Sequence, residues 1–130
     1  MPPMRMMHNA DPAEELRASV GDLSHIEVFN NQVLIAIYKR PERTKSGIIL
    51  ADVTREEDKW QGKIGLVLKK GPMAFVDDDR VSFHGQNVKE GDWVAYRVSD
   101  GWQLAFNKVD CRMLEDTQIK MRVSVPDLVW

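Results

Sequence analysis

One cysteine, Cys111, stands in the 130 residues. A single thiol excludes an intramolecular disulfide framework and fits a reducing compartment. Long apolar runs are missing too. The longest, Val33 to Tyr38, falls far short of the roughly 20 apolar residues that a membrane-spanning helix needs. Met1 to Ala10 is rich in methionine but lacks the apolar core of a secretion signal. Neither sign of charge dominates: 18 Lys+Arg against 20 Asp+Glu leave a net charge of -2. No global basic field is present to draw nucleic acid or an anionic membrane.

Chemistry-bearing patterns are equally sparse. The three histidines, His8, His25 and His84, show no metal-ligand spacing to one another, to Cys111 or to a carboxylate pair. Cys111 has no His beside it and no helix start to activate it, so an inert, partly buried thiol is expected. Asp77-Asp78-Asp79 lacks the spaced ligands, the glycine and the closing Glu of a calcium loop and reads as an acidic turn. Phosphate-cradling glycine loops, nucleophile elbows and paired catalytic carboxylates are not found. Trp60, Trp93, Trp102 and Trp130 are not interleaved with basic residues, which favours core or interface packing over base stacking. The expectation is a non-enzymatic protein without cofactor or metal.

What the chain does carry is ordinary globular composition, 43% hydrophobic and 29% charged, enough for one domain. Asp11 to Gly21 has helix punctuation at both ends. Asp11 can cap, Pro12 suits the first helical position, Glu14 completes a capping box and Gly21 suits a left-handed stop. Beyond Ile26 the pattern is β. Val33–Tyr38, Ile64–Leu68 and Trp93–Val98 read as buried strands. Ser99-Asp100-Gly101 reads as a turn before a strand at Trp102–Phe106, and two short strands follow, around Met113 and at Ile119–Val125. Short strands joined by Gly/Pro turns predict an all-β fold: a small irregular barrel or sandwich with a short N-terminal helix and an extended arm, divided into residues 1–25 and 26–130.

The segment Pro41–Trp60 stands apart. It is polar and charged, with one apolar island at Ile48-Ile49-Leu50. Loops of this length are usually functional or disordered, and three aliphatics in a solvated loop gain nothing until something covers them. The competing reading is a core-facing strand inside the loop, which β-propensity favours modestly.

At this point several segments, in order, resemble the chaperonin-10 (GroES-like) co-chaperonins over about Ile26 to Val123. Ile26–Ile37 (IEVFNNQVLIAI) resembles the opening strand, and Thr44–Leu50 (TKSGIIL) the mobile loop, in which a glycine precedes an aliphatic tripeptide. Gln61–Val67 resembles the strand leaving that loop. Val88–Val94 (VKEGDWV) matches the VKxGDxV signature, and Glu115–Ile119 resembles the closing segment. The resemblance implies a seven-stranded barrel subunit of a homo-oligomeric, seven-membered cytoplasmic ring. Such a ring caps a chaperonin of the 60 kDa class, with no nucleic acid or membrane partner. Gly47 would give the loop its turn, and Ile48, Ile49 and Leu50 would dock between two helices of the chaperonin.

The chain also departs from the pattern. The opening strand reads Val28-Phe29 and Asn31-Gln32 where the family has Pro-Leu and Asp-Arg pairs, the Gly71–Asn87 region is unusual, and the first 25 residues are an addition. These departures fit a divergent, phage-type relative. They leave a second reading: a virion decoration or assembly protein that reuses the fold against a major capsid protein. For the added segment, attachment to a partner through Met4, Met6, Met7, Leu16 and Val20 stands almost level with a helix folded back on its own barrel.

Overall fold

In the computed structural model, residues 11–39 and 63–128 are described. The order of elements is α1 (Pro12–Val20), β1 (Gln32–Ile37), β2 (Ile64–Lys70), β3 (Trp93–Ala95), β4 (Trp102–Phe106), β5 (Val109–Glu115) and β6 (Met121–Val123), with 3₁₀ turns at Asp116–Gln118 and Pro126–Leu128. The six strands form one antiparallel sheet, ordered β4-β5-β1-β2-β3-β6, the sheet of a small GroES-like barrel. The expectation of an all-β fold is met.

β1 is central, and this explains its near-continuous apolar run. Leu34 and Ala36 enter one core cluster with Leu66, Trp93 and Cys111, while Val33 and Ile35 enter a second with Val67, Val94 and Leu114. A strand covered on both faces has no position to give to water, so alternation disappears. The register slips between Leu34 and Ile35, where Leu34 faces Lys69 and Ile35 faces Val67. The extra residue on β2, Leu68, still reaches the first cluster.

Three expected boundaries are corrected. β3 stops at Ala95 and does not run to Val98. Tyr96 remains buried, but the chain then turns, because Arg112 donates to the carbonyls of Val98 and Asp100 and Arg97 pairs with Asp100. The last strand is only Met121–Val123, and the strand around Met113 is longer than expected, Val109–Glu115. In α1, Asp11 makes no side-chain cap bond, so the capping box is absent, although Pro12 does open the helix and Gly21 follows it at φ 80°.

α1 lies against β2 and β5 of its own chain. Val20 is fully buried and Ala13 nearly so, both in the first core cluster, with Leu16 half-buried against it. Asn107 donates its side-chain amide to the Val20 carbonyl, and Arg17 lies across Gly91, where an added Cβ would sit 2.0 Å from the guanidinium. Of the two readings of this segment, the fold-back describes where the helix lies: a stripe too narrow to fold alone is covered by the sheet. Met4, Met6 and Met7 lie outside the described residues.

The second core face is covered by residues 71–88, and one buried side chain ties that cover down. Asp116 accepts from the Phe75 N–H at 3.1 Å, the Asn31 amide at 3.3 Å and the Thr117 N–H at 2.7 Å. Phe75 sits at φ 61°, a region a bulky residue rarely occupies, and the bond to Asp116 is what holds it there. Asp116→Ala should therefore lower unfolding free energy by about 2–3 kcal/mol, since buried donors lose a charged acceptor. Urea unfolding followed by tryptophan fluorescence measures this, and a loss below about 0.5 kcal/mol would remove Asp116 from that role.

Candidate partner-binding site

The residues expected to carry partner binding, Gly47, Ile48, Ile49 and Leu50, lie outside the described residues. What the structure supplies is the frame from which they project. β1 and β2 are antiparallel neighbours with Ile37 opposite Gly65, so residues 40–62 connect two adjacent strands and leave from one end of the barrel.

Both sides of this root are clamped. On the outgoing side the Tyr38 N–H bonds the Ile64 carbonyl at 2.9 Å, extending the ladder one residue beyond β1. The Tyr38 ring is 3% exposed and meets Trp93 edge-on, with centroids 5.5 Å apart. Its hydroxyl donates to the buried carboxylate of Asp127, in the C-terminal 3₁₀ turn. Lys39 pairs with Asp110 of β5. On the returning side the Lys63 carbonyl accepts the Tyr96 N–H at 2.9 Å. Root ordering of this kind concentrates freedom in the loop itself and keeps the barrel out of it. Nothing in the sequence marks these clamps. Tyr38 and Asp127 are 89 positions apart, and only folding brings them together.

The VKxGDxV signature has a physical reason here. Gly91 has φ 93°, which only glycine adopts without strain, and the Asp92 carboxylate accepts the Lys89 N–H at 3.0 Å. The turn then joins β2 through Gly91 N–H to Val67 O and Val67 N–H to Asp92 O, both 2.9 Å. Val88 before it and Trp93 after it are buried. The motif is thus a turn that feeds β3 into register beside β2.

Other expected features resolve in the same plain way. Asp78 accepts from the N–H groups of Arg80 and Val81 at 2.7 and 2.9 Å, which makes 77–81 an acidic turn. Trp93 is core, Trp102 is 58% exposed on the edge strand, and Trp60 and Trp130 lie outside the described residues. Among the described residues no group of three His, Cys, Asp or Glu side chains could hold a metal ion. No helix there is long and apolar enough to cross a membrane.

Cys111 is fully buried in β5. Burial, reinforced by the charge of neighbouring Asp110, pushes its thiol up to about 12. The folded state therefore keeps the proton where the unfolded thiol, with its ordinary value of 9.0, loses it. Stability from this group is full below pH 9 and is lost as pH rises from there towards 12. Native protein at pH 8 should react with a thiol reagent at least about a hundredfold more slowly than protein in urea. Equal rates would show an accessible thiolate.

Against this frame the chain was compared with known proteins. The family profile "Chaperonin 10 Kd subunit" matches residues 25–123. Co-chaperonin GroES of Caldicellulosiruptor saccharolyticus is 33% identical over 79 residues, covering 61% of this chain and 76% of the relative. Co-chaperonin GroES of Caldicellulosiruptor bescii shows the same identity and coverage. The matched span takes in every strand of the sheet and the 40–62 connection and leaves out α1, so the helix is an addition packed onto a shared barrel. With the signature turn, the strand order and the family match in agreement, the chain belongs to the chaperonin-10 family.

Proposed function

We propose that the protein is a non-enzymatic co-chaperonin: one subunit of a homo-oligomeric ring in the cytoplasm that docks on a chaperonin through Gly47, Ile48, Ile49 and Leu50. The observation that carries this reading is the family match across both the barrel and the loop-bearing connection. The names of the relatives, co-chaperonins from two Caldicellulosiruptor species, point the same way. The clamped root supports it physically. Ile49 stands ten residues beyond Lys39, a tether able to reach up to about 33 Å from a fixed anchor.

The docking energetics follow from the residue types. A loop that orders on binding spends part of its gain on lost entropy, so one copy binds weakly and reversibly. Several copies on one rigid ring bind together by effective concentration. By analogy with the family the ring has seven members. The test is co-elution of the purified protein with a chaperonin of the 60 kDa class in the presence of nucleotide. Nucleotide-dependent comigration is expected, and free migration of the protein at micromolar concentration would overturn the reading.

A further inference from the structure

Between the 84–89 segment and the edge strand β6 runs a groove of about 810 Å³ whose rim is cationic. Lys70, Lys89, Lys120 and Arg122 line it, with His84 at one end and Phe75, Ile119 and Met121 along its floor and sides. Among the described residues lining it none is acidic. Lys70 is held by neutral acceptors, the Asn87 side chain and the Val88 carbonyl, both at 2.8 Å, and Lys120 by the Thr117 carbonyl at 3.0 Å. Arg122 donates to the Asn87 carbonyl at 2.9 Å and approaches Asp92 at 3.5 Å from outside the groove. Positive charge is thus gathered at one place in a chain whose net charge is -2.

The matching negative charge stands on the same chain but not in the groove. Asp77, Asp78 and Asp79 are all exposed, and none of them lines it. Their turn is braced from within. Asp77 accepts the Phe83 N–H at 2.6 Å, Asp78 accepts two N–H groups, and the Asp78 N–H bonds the Val81 carbonyl at 2.9 Å. These bonds use one oxygen of each carboxylate and fix the turn before any partner arrives, so little ordering is needed on docking. Backbone hydrogen bonds hold the Asp78 carboxyl below its ordinary range, which keeps it charged.

We propose that the cationic groove receives the acidic turn, residues 77–79, of a second copy of the chain. Turn and groove are different surfaces, so the contact is head-to-tail, the kind that closes into rings when the rotation permits. The inference rests on the ring reading above and adds to it the charge pairing that sets which faces of neighbouring subunits meet. Pairs of this kind act on specificity and association rate, and salt weakens them.

The test is a charge swap. Asp79→Lys and Lys89→Glu each alter an exposed side chain, leaving in place the backbone bonds of both turns. Sedimentation velocity across a concentration series should show association weakened at least about tenfold in either single variant. The double variant, with the charges exchanged, should return to within about threefold of wild type, a rescue that misfolding could not give. Oligomers of wild type and both single variants that assemble alike would overturn the inference while leaving the ring intact. So would single variants that assemble normally but lose binding of an Asp-rich peptide, which would assign the groove to a different acidic partner. A monomeric wild type would overturn both the inference and the ring. Loss of chaperonin co-elution with assembly unchanged bears only on the loop reading, so the two failures are distinguishable.

Discussion

Ile49→Asp is expected to abolish co-elution with the chaperonin while leaving the far-UV spectrum and melting temperature at wild-type values. The middle residue of the aliphatic tripeptide would carry a carboxylate into an apolar groove. Leaving that charge desolvated and unpaired costs roughly several kcal/mol per site. A single copy would already lose most of its affinity, and a ring, whose binding multiplies across its copies, would lose it all at working concentrations. Comigration at wild-type levels would remove Ile48-Ile49-Leu50 from the interface. A fall in melting temperature of about 10 °C or more would instead favour the competing reading, in which the tripeptide is a strand facing the core.

Removing residues 1–21 is expected to lower the melting temperature by about 10 °C or more. The helix brings Val20, with no exposed surface, and Ala13, 8% exposed, into the same cluster as Leu34, Leu66 and Trp93. Its loss returns that apolar surface to water at about 25 cal/mol per Å² and also removes the Asn107 bond to the Val20 carbonyl. Together these amount to about 3–5 kcal/mol, comparable with deleting a large core side chain. Val20→Asp should do the same by placing a carboxylate in the cluster without shortening the chain. A truncated protein with unchanged melting temperature would show that the packing of α1 contributes little and would return the segment to the role of an attachment device.

The two expectations draw on different sources of information. The fold was legible because its signals are local. Val33–Ile37 is apolar at every position because the strand is covered on both faces, and Val88–Val94 carries a glycine and an aspartate where one turn needs a positive φ and a side-chain acceptor. Such patterns are written within a few residues, so they can be read without knowing what lies opposite. Strand ends were read less well. β3 stops at Ala95 because Arg112, from another strand, takes the carbonyls of the following turn.

The candidate site divides along the same line. The aliphatic tripeptide and its preceding glycine are sequence features, and only the sequence speaks for them, since they lie outside the described residues. The root that would carry them is a tertiary construction: Tyr38 on Asp127, Lys39 on Asp110, and Tyr38 against Trp93. The fate of the N-terminal helix was also undetermined by its own residues. Leu16 and Val20 form a narrow stripe that any apolar surface could cover, and the sheet of its own chain is the surface that does. The sequence by itself determined the strands, the signature turn and the family likeness, because each depends on neighbours along the chain. Only the tertiary structure decided the partner of α1, the clamps at the loop root and the cationic groove. Those depend on side chains that meet across long stretches of sequence, where no local pattern records the meeting.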